Sequence, residues 1–151
     1  MKEKARILIV DDDEGIRVTC EAILKENGYV VDTAKTGREA ITKSDENFYN
    51  AALIDVRLPD MQGTQLLTDM KETTPKMVKI IVTGFPALKN AVEAVNRGAS
   101  AYVLKPPNMT ELLKTLEEHL LKQEEEKRMS EDNVAAFIQR RVQEIEVEEN
   151  P

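Results

Sequence analysis

The chain has one cysteine, Cys20, and one histidine, His119. A lone cysteine closes no internal disulfide, and the pair leaves no basis for a Cys/His metal cage, a Ser-His-Asp triad or a Cys-His couple, so any catalysis falls to carboxylates. Neither a GxxxxGK[ST] loop nor a GxGxxG turn is present, which removes the Gly-rich nucleotide cradles. The longest apolar runs are short, as in Ile7-Leu8-Ile9-Val10, far below the ~20 residues a membrane span requires. The amino-terminal stretch Met1-Lys2-Glu3-Lys4-Ala5-Arg6 enters the first run without a secretory h-region, so a cytoplasmic protein without membrane insertion is expected. Basic residues are outnumbered 21 to 28, and the net charge of -7 argues against direct nucleic-acid binding.

What is present suits one globular domain with a tail: 151 residues, 41% hydrophobic and 32% charged. Five short apolar or β-branched runs, at 6–10, 29–33, 51–54, 79–82 and 101–104, read as strands. Between them apolar residues recur at helical spacing: Ile16, Cys20, Ile23 and Leu24; Ala40, Ile41 and Ser44; Leu66, Leu67 and Met70; Ala91, Val92 and Val95. Gly28 and Gly98 sit where two helices end, and Thr36-x-x-Glu39 has the form of a capping box. Cys20 belongs to the apolar face of the first helix. Repeated βα units imply a mainly parallel sheet covered on both faces, with any ligand beyond the carboxyl ends of the strands.

Those ends carry chemistry. The first strand ends in Asp11-Asp12-Asp13, the third in Asp55, the fourth in Thr83 and the fifth in Lys105. Clustered carboxylates repel one another unless a hard cation is bound, and Mg2+ takes such oxygen ligands together with phosphate oxygens. Lys105 and Thr83 then supply a charge and a hydroxyl for phosphoryl oxygens, which leaves Asp55 as the nucleophile.

The segments Ile7-Leu8-Ile9-Val10-Asp11-Asp12-Asp13, Asp55-Val56-Arg57-Leu58-Pro59-Asp60-Met61-x-Gly63, Ile81-Val82-Thr83-Gly84 and Tyr102-Val103-Leu104-Lys105-Pro106 resemble, in order, the receiver domain of two-component response regulators. The resemblance spans roughly residues 4–121. It implies a flavodoxin-like, doubly wound five-stranded parallel sheet of order 2-1-3-4-5. It also implies roles: Asp55 as phosphoacceptor, Asp12 as a direct Mg2+ ligand, Asp11 as a ligand through water, and Arg57 as donor of a backbone carbonyl. Thr83 and Tyr102 would form the switch pair, Lys105 would bind the phosphoryl group, and the Lys105-Pro106 bond would be cis. Pro107 departs from the family's usual Phe. The function so implied is a phosphorylation-activated signalling switch rather than an enzyme with its own substrate, served by a histidine kinase or phosphotransfer protein and acting by contact on a downstream protein.

Two rivals stand beside it. Asp11-x-Asp13 after an apolar strand is similar to the nucleophile and acid/base pair of haloacid-dehalogenase-like phosphatases, but that leaves Asp55 idle and lacks the later acidic pair. A non-phosphorylated pseudo-receiver scaffold is the other, although no site residue is missing. Asp13 reads as a helix cap and His119 as a surface residue. Residues 1–121 are thus expected to form the receiver and 122–151 a charged helical extension. The last receiver helix starts near Asn108 and buries Leu112, Leu113, Leu116 and Leu120; the run 122–128 then looks solvated. A second helix is expected from an N-cap at Ser130, with Val134, Phe137, Ile138, Val142 and Ile145 along one side. From residue 122 the chain has five basic and nine acidic residues, a net -4, which makes it a poor candidate for DNA reading and leaves two readings open, a frayed or packed-back helix and a partner or homodimer contact.

Overall fold

A computed structural model describes residues 5–84, 87–105 and 107–149. The elements run β1 (Arg6–Val10), α1 (Glu14–Glu26), β2 (Val30–Ala34), α2 (Gly37–Glu46), β3 (Ala51–Ile54), α3 (Gly63–Asp69), β4 (Val78–Thr83), α4 (Leu88–Asn96), β5 (Ala101–Leu104) and α5 (Met109–Glu149). The strands form one parallel sheet in the order β2-β1-β3-β4-β5, as the resemblance implied. All five carboxyl ends therefore lie along one rim.

Strand side chains alternate between faces, and that alternation sorts the core into two layers. Leu8, Val10, Ala52, Ile54 and Ile81 pack with Ala40 of α2, Leu66 and Leu67 of α3 and Ala94 of α4. Ile7, Ile9, Leu53, Ile80 and Val82 pack with Cys20 and Leu24 of α1 and with Leu112 and Leu116 of α5. Central strands β1, β3 and β4 are buried almost throughout, whereas the edges β2 and β5 are half-covered.

The local signals act largely as read. Asp13 caps α1, its Oδ1 accepting from the Ile16 N–H at 3.0 Å, and Gly28 and Gly98 take φ of 92° and 97° just past α1 and α4. Thr36 Oγ1 accepts from the Glu39 N–H at 3.0 Å, while the Glu39 carboxylate reaches one residue further back than a standard box, to the Lys35 N–H at 2.9 Å.

Three features differ from expectation. In α4 the side turned to the sheet carries Ala94, and Val92 and Val95 are exposed, because small side chains let this short helix lie close. No second helix begins at Ser130, since α5 is one helix from Met109 to Glu149 with neither Gly nor Pro inside it to break the ladder. Gln123, within the run expected to be solvated, is buried: its Nε2 donates to the carbonyls of Asn50 (2.9 Å) and Lys76 (2.8 Å), and its Oε1 accepts from Asn50 Nδ2 at 3.2 Å. These bonds fasten α5 to the amino ends of β3 and β4. The expected cis Lys105-Pro106 bond lies outside the described residues. Among the described residues no helix is long and apolar enough to cross a membrane.

Candidate functional site

The rim at the strand ends gathers Asp11, Asp12, Asp55, Thr83 and Lys105, because parallel strands deliver each to the same end of the sheet. Asp11 follows β1 and is buried; its N–H donates to the Ala34 carbonyl at 3.1 Å, and one carboxylate oxygen accepts from the Asp13 N–H at 2.9 Å. Asp55 follows β3, also buried, with its N–H on the Val10 carbonyl at 2.9 Å. Asp12 faces solvent. Ligand oxygens of these three carboxylates lie within 4.8 Å of one another.

Lys105 reaches into this cluster from the end of β5, where its N–H donates to the Thr83 carbonyl at 2.8 Å. Its Nζ lies 2.6 Å from Asp11 Oδ2 and 3.0 Å from Asp55 Oδ2, bridging two carboxylates that would otherwise repel. Burial raises the Asp11 carboxyl above its ordinary range, and the Lys105 ammonium and Asp13 N–H only partly offset it. For Lys105 the balance reverses. Burial would lower its pKa, but the hydrogen bonds and charges of Asp11 and Asp55 outweigh it and hold the ammonium above its usual range. One ammonium among three carboxylates leaves a local excess of negative charge, and the donors are all hard oxygens with one exposed to solvent. That set fits a hard divalent cation.

Thr83 is fully buried at the end of β4. Tyr102 pairs with Ile81, so it shares the sheet face of Ile81 and Thr83, and it is half-buried against that layer. Arg57 starts the loop after Asp55 and is exposed; the loop turns back through an Arg57–Gln62 bridge and a Gly63 N–H to Val56 carbonyl bond of 2.6 Å. Gly63 is forced there. A Cβ at this position would overlap the Asp55 carbonyl oxygen and lie 2.8 Å from its carbon, so only glycine lets α3 begin so close to Asp55.

Sequence reasoning missed two supports. Arg17 is buried on α1 and its Nη1 donates to the Asp11 carbonyl at 2.8 Å, fixing the backbone between Asp11 and Asp12; its spacing from Cys20 and Leu24 on the buried face was the available signal. Asp60 accepts from the Gly37 and Arg38 N–H groups, both at 2.9 Å, so the loop after Asp55 caps α2. Nothing local marked Asp60 for that, because its partners lie more than 20 residues away.

An open parallel α/β sheet with an acidic cluster and a lysine at its carboxyl rim is an arrangement that could hold a metal ion, and comparison with known proteins gives the class. Residues 7–117 match the family model described as response regulator receiver domain. The chain belongs to that family. It is 35% identical over 120 residues to the transcriptional regulatory protein ZraR of Salmonella typhimurium, covering 80% of this chain but 27% of that one, so it spans about a quarter of that relative's length. A CheY-like receiver domain protein from Methanospirillum hungatei is 45% identical with a TM-score of 0.79, over 82% of this chain and 99% of that one. The beryllofluoride-activated NtrC4 receiver domain, solved as a dimer, is 38% identical with a TM-score of 0.73, over 78% and 98% of the two chains. Membership disfavours the phosphatase reading. The Asp13 oxygen engaged in capping α1 fits that outcome.

Proposed function

We propose that the chain is a phosphorylation switch that accepts a phosphoryl group on Asp55 from a histidine kinase or phosphotransfer protein and signals by contact with a downstream protein. A carboxylate oxygen of Asp55 attacks phosphorus; the P–N bond to the donor imidazole breaks with its electron pair leaving on nitrogen, and an acyl phosphate results. Asp11, Asp12 and Asp55, with the Arg57 backbone carbonyl, would hold Mg2+. Bound there, Mg2+ would neutralise charge on the phosphoryl oxygens. The Lys105 ammonium, already between Asp11 and Asp55, pairs with a phosphoryl oxygen once Asp55 is modified. The Thr83 hydroxyl then turns toward the new group and Tyr102 responds on the shared face. The same site hydrolyses its own acyl phosphate, and no other substrate is turned over. This reading carries with it a cytoplasmic site of action.

The observation that carries the proposal is the Lys105 bridge, 2.6 Å to Asp11 and 3.0 Å to Asp55, beside the third carboxylate. Intact-mass analysis after incubation with a small phosphodonor and Mg2+ tests it. The unaltered chain should gain one phosphoryl group, Asp55→Asn none, and Asp12→Ala should be phosphorylated poorly and no faster with Mg2+ than without it. Modification of Asp55→Asn at the unaltered rate would overturn the assignment.

A further inference from the structure

Among the described residues, none covers the apolar side of α5 beyond Gln123. Val134, Phe137, Ile138, Val142 and Ile145 are each about half exposed, between 45% and 58%. An isolated helix of this length gains little in water without a surface for that side. We propose that residues 134–146 form a parallel, in-register helical seam with the same segment of a second copy of this chain.

The occupant and its direction follow from the arrangement of charge. A heptad frame with Ala135 and Val142 at a and Ile138 and Ile145 at d places Arg141 at g and Glu146 at the following e. In a parallel pair each g residue meets the partner residue five positions further on, so Arg141 of one copy, whose Nη1 also pairs with Glu144 of its own helix at 2.7 Å, faces Glu146 of the other, twice per dimer. An antiparallel pair that aligned the same four apolar positions would instead set Arg141 against Arg141. The segment itself is suited to meet its own copy: the excess acid of the tail lies outside it, where residues 122–133 and 147–149 hold seven acidic and three basic residues, whereas 134–146 carry two Arg and two Glu.

A seam of two heptads is shorter than the three or four typical of an autonomous coiled coil, so it requires a helix that is already formed and aimed. The structure provides one. α5 is continuous from the receiver core through residue 149, and Gln123 fixes it by three hydrogen bonds just where it leaves the domain. Phe137 falls at c, outside the seam, which separates this pairing from general stickiness of the apolar side.

Analytical ultracentrifugation of the full chain over a concentration series provides the test, independent of any phosphoryl chemistry. The unaltered chain should sediment as a monomer–dimer equilibrium, Ile138→Glu with Ile145→Glu as a monomer throughout, and Phe137→Glu like the unaltered chain. Arg141→Glu should raise the dissociation constant by about tenfold, and Arg141→Glu with Glu146→Arg should restore it. Circular dichroism checks that each variant keeps its helix. A full chain that stays monomeric overturns the proposal, as does a dimer that survives the double isoleucine change. Failure of the double charge reversal to recover affinity overturns the parallel register.

Discussion

Replacing Gln123 by Ala removes three hydrogen bonds at a residue 6% exposed; the Lys76 carbonyl loses this donor, while the Asn50 carbonyl keeps the Val78 N–H at 2.9 Å. Each bond contributes roughly 0.5–1.5 kcal/mol net, so full loss with no rehydration would cost about 2–4 kcal/mol. A groove of about 810 Å3 lined by Asn50, Thr74, Leu120 and Gln123 adjoins the site and admits water to the Lys76 carbonyl and the Asn50 side-chain amide that the change leaves behind. That lowers the expected cost to about 1–3 kcal/mol, or a fall in Tm of roughly 4–8 °C for ~2 kcal/mol in a chain of this size. Gln123→Glu separates hydrogen bonding from volume: a carboxylate cannot donate and would face two carbonyl oxygens, so at neutral pH it should cost more than Ala. Urea unfolding of the three proteins measures both differences. Phosphorylation by a small donor serves as the internal control, because Asp55 lies at the far end of β3 from Asn50, and its rate should not change. A loss under about 0.5 kcal/mol for Ala, or Glu no worse than Ala, would refute the view that these bonds anchor α5.

Gly63→Ala should slow phosphorylation of Asp55 and lower stability by about 1–3 kcal/mol, since the new Cβ meets backbone rather than a movable side chain; an unaltered rate in a fully stable variant would show that the loop yields without disturbing the site. Asp60→Ala should cost about 1 kcal/mol at pH 7 by removing the acceptor of the first two N–H groups of α2, which the Thr36 cap does not serve. Burial would raise the Asp60 pKa, but the Arg38 and Gly37 N–H groups together outweigh it and hold the carboxyl below its ordinary range. Its contribution is therefore complete above the unfolded value near 4 and is lost as pH falls through the lower folded value, so the gap between Asp60→Ala and the unaltered chain should narrow below about pH 4. Urea unfolding across that range checks the sign, and a gap that widens on acidification would contradict it.

The fold was legible because its determinants are local and periodic: five apolar runs, helical spacing between them, and Gly28, Gly98, Asp13 and Thr36 at the ends. The site was legible for a related reason, since a parallel sheet converts residues at five strand ends into neighbours. What escaped was mostly polar burial, which depends on partners distant in sequence. Gln123 is in phase with Leu116 and Leu120, yet its polarity and charged neighbours suggested a solvated run until Asn50 and Lys76 were seen to meet it. Lys79 is similar: it sits among Val78, Ile80, Ile81 and Val82 in β4, and its buried ammonium, pushed down by burial, donates to the Leu67 carbonyl at 2.8 Å near the end of α3. In the tail, the charged run looked like an interruption, but without Gly or Pro it does not end a helix.

β4 has a mechanical consequence. Its six residues, all buried, form a strut about 20 Å long with Thr83 at one end and the segment following Lys76 at the other. Packed on both faces and hydrogen-bonded to β3 and β5 along its sides, such a strut has little freedom to bow and can respond to load mainly by sliding along its own axis. Whatever presses on Thr83 therefore works against a strand that Gln123 grips near its opposite end. Slippage of a few tenths of an ångström would be felt first in the length of that grip, at the root of a helix whose distal end multiplies any change of angle.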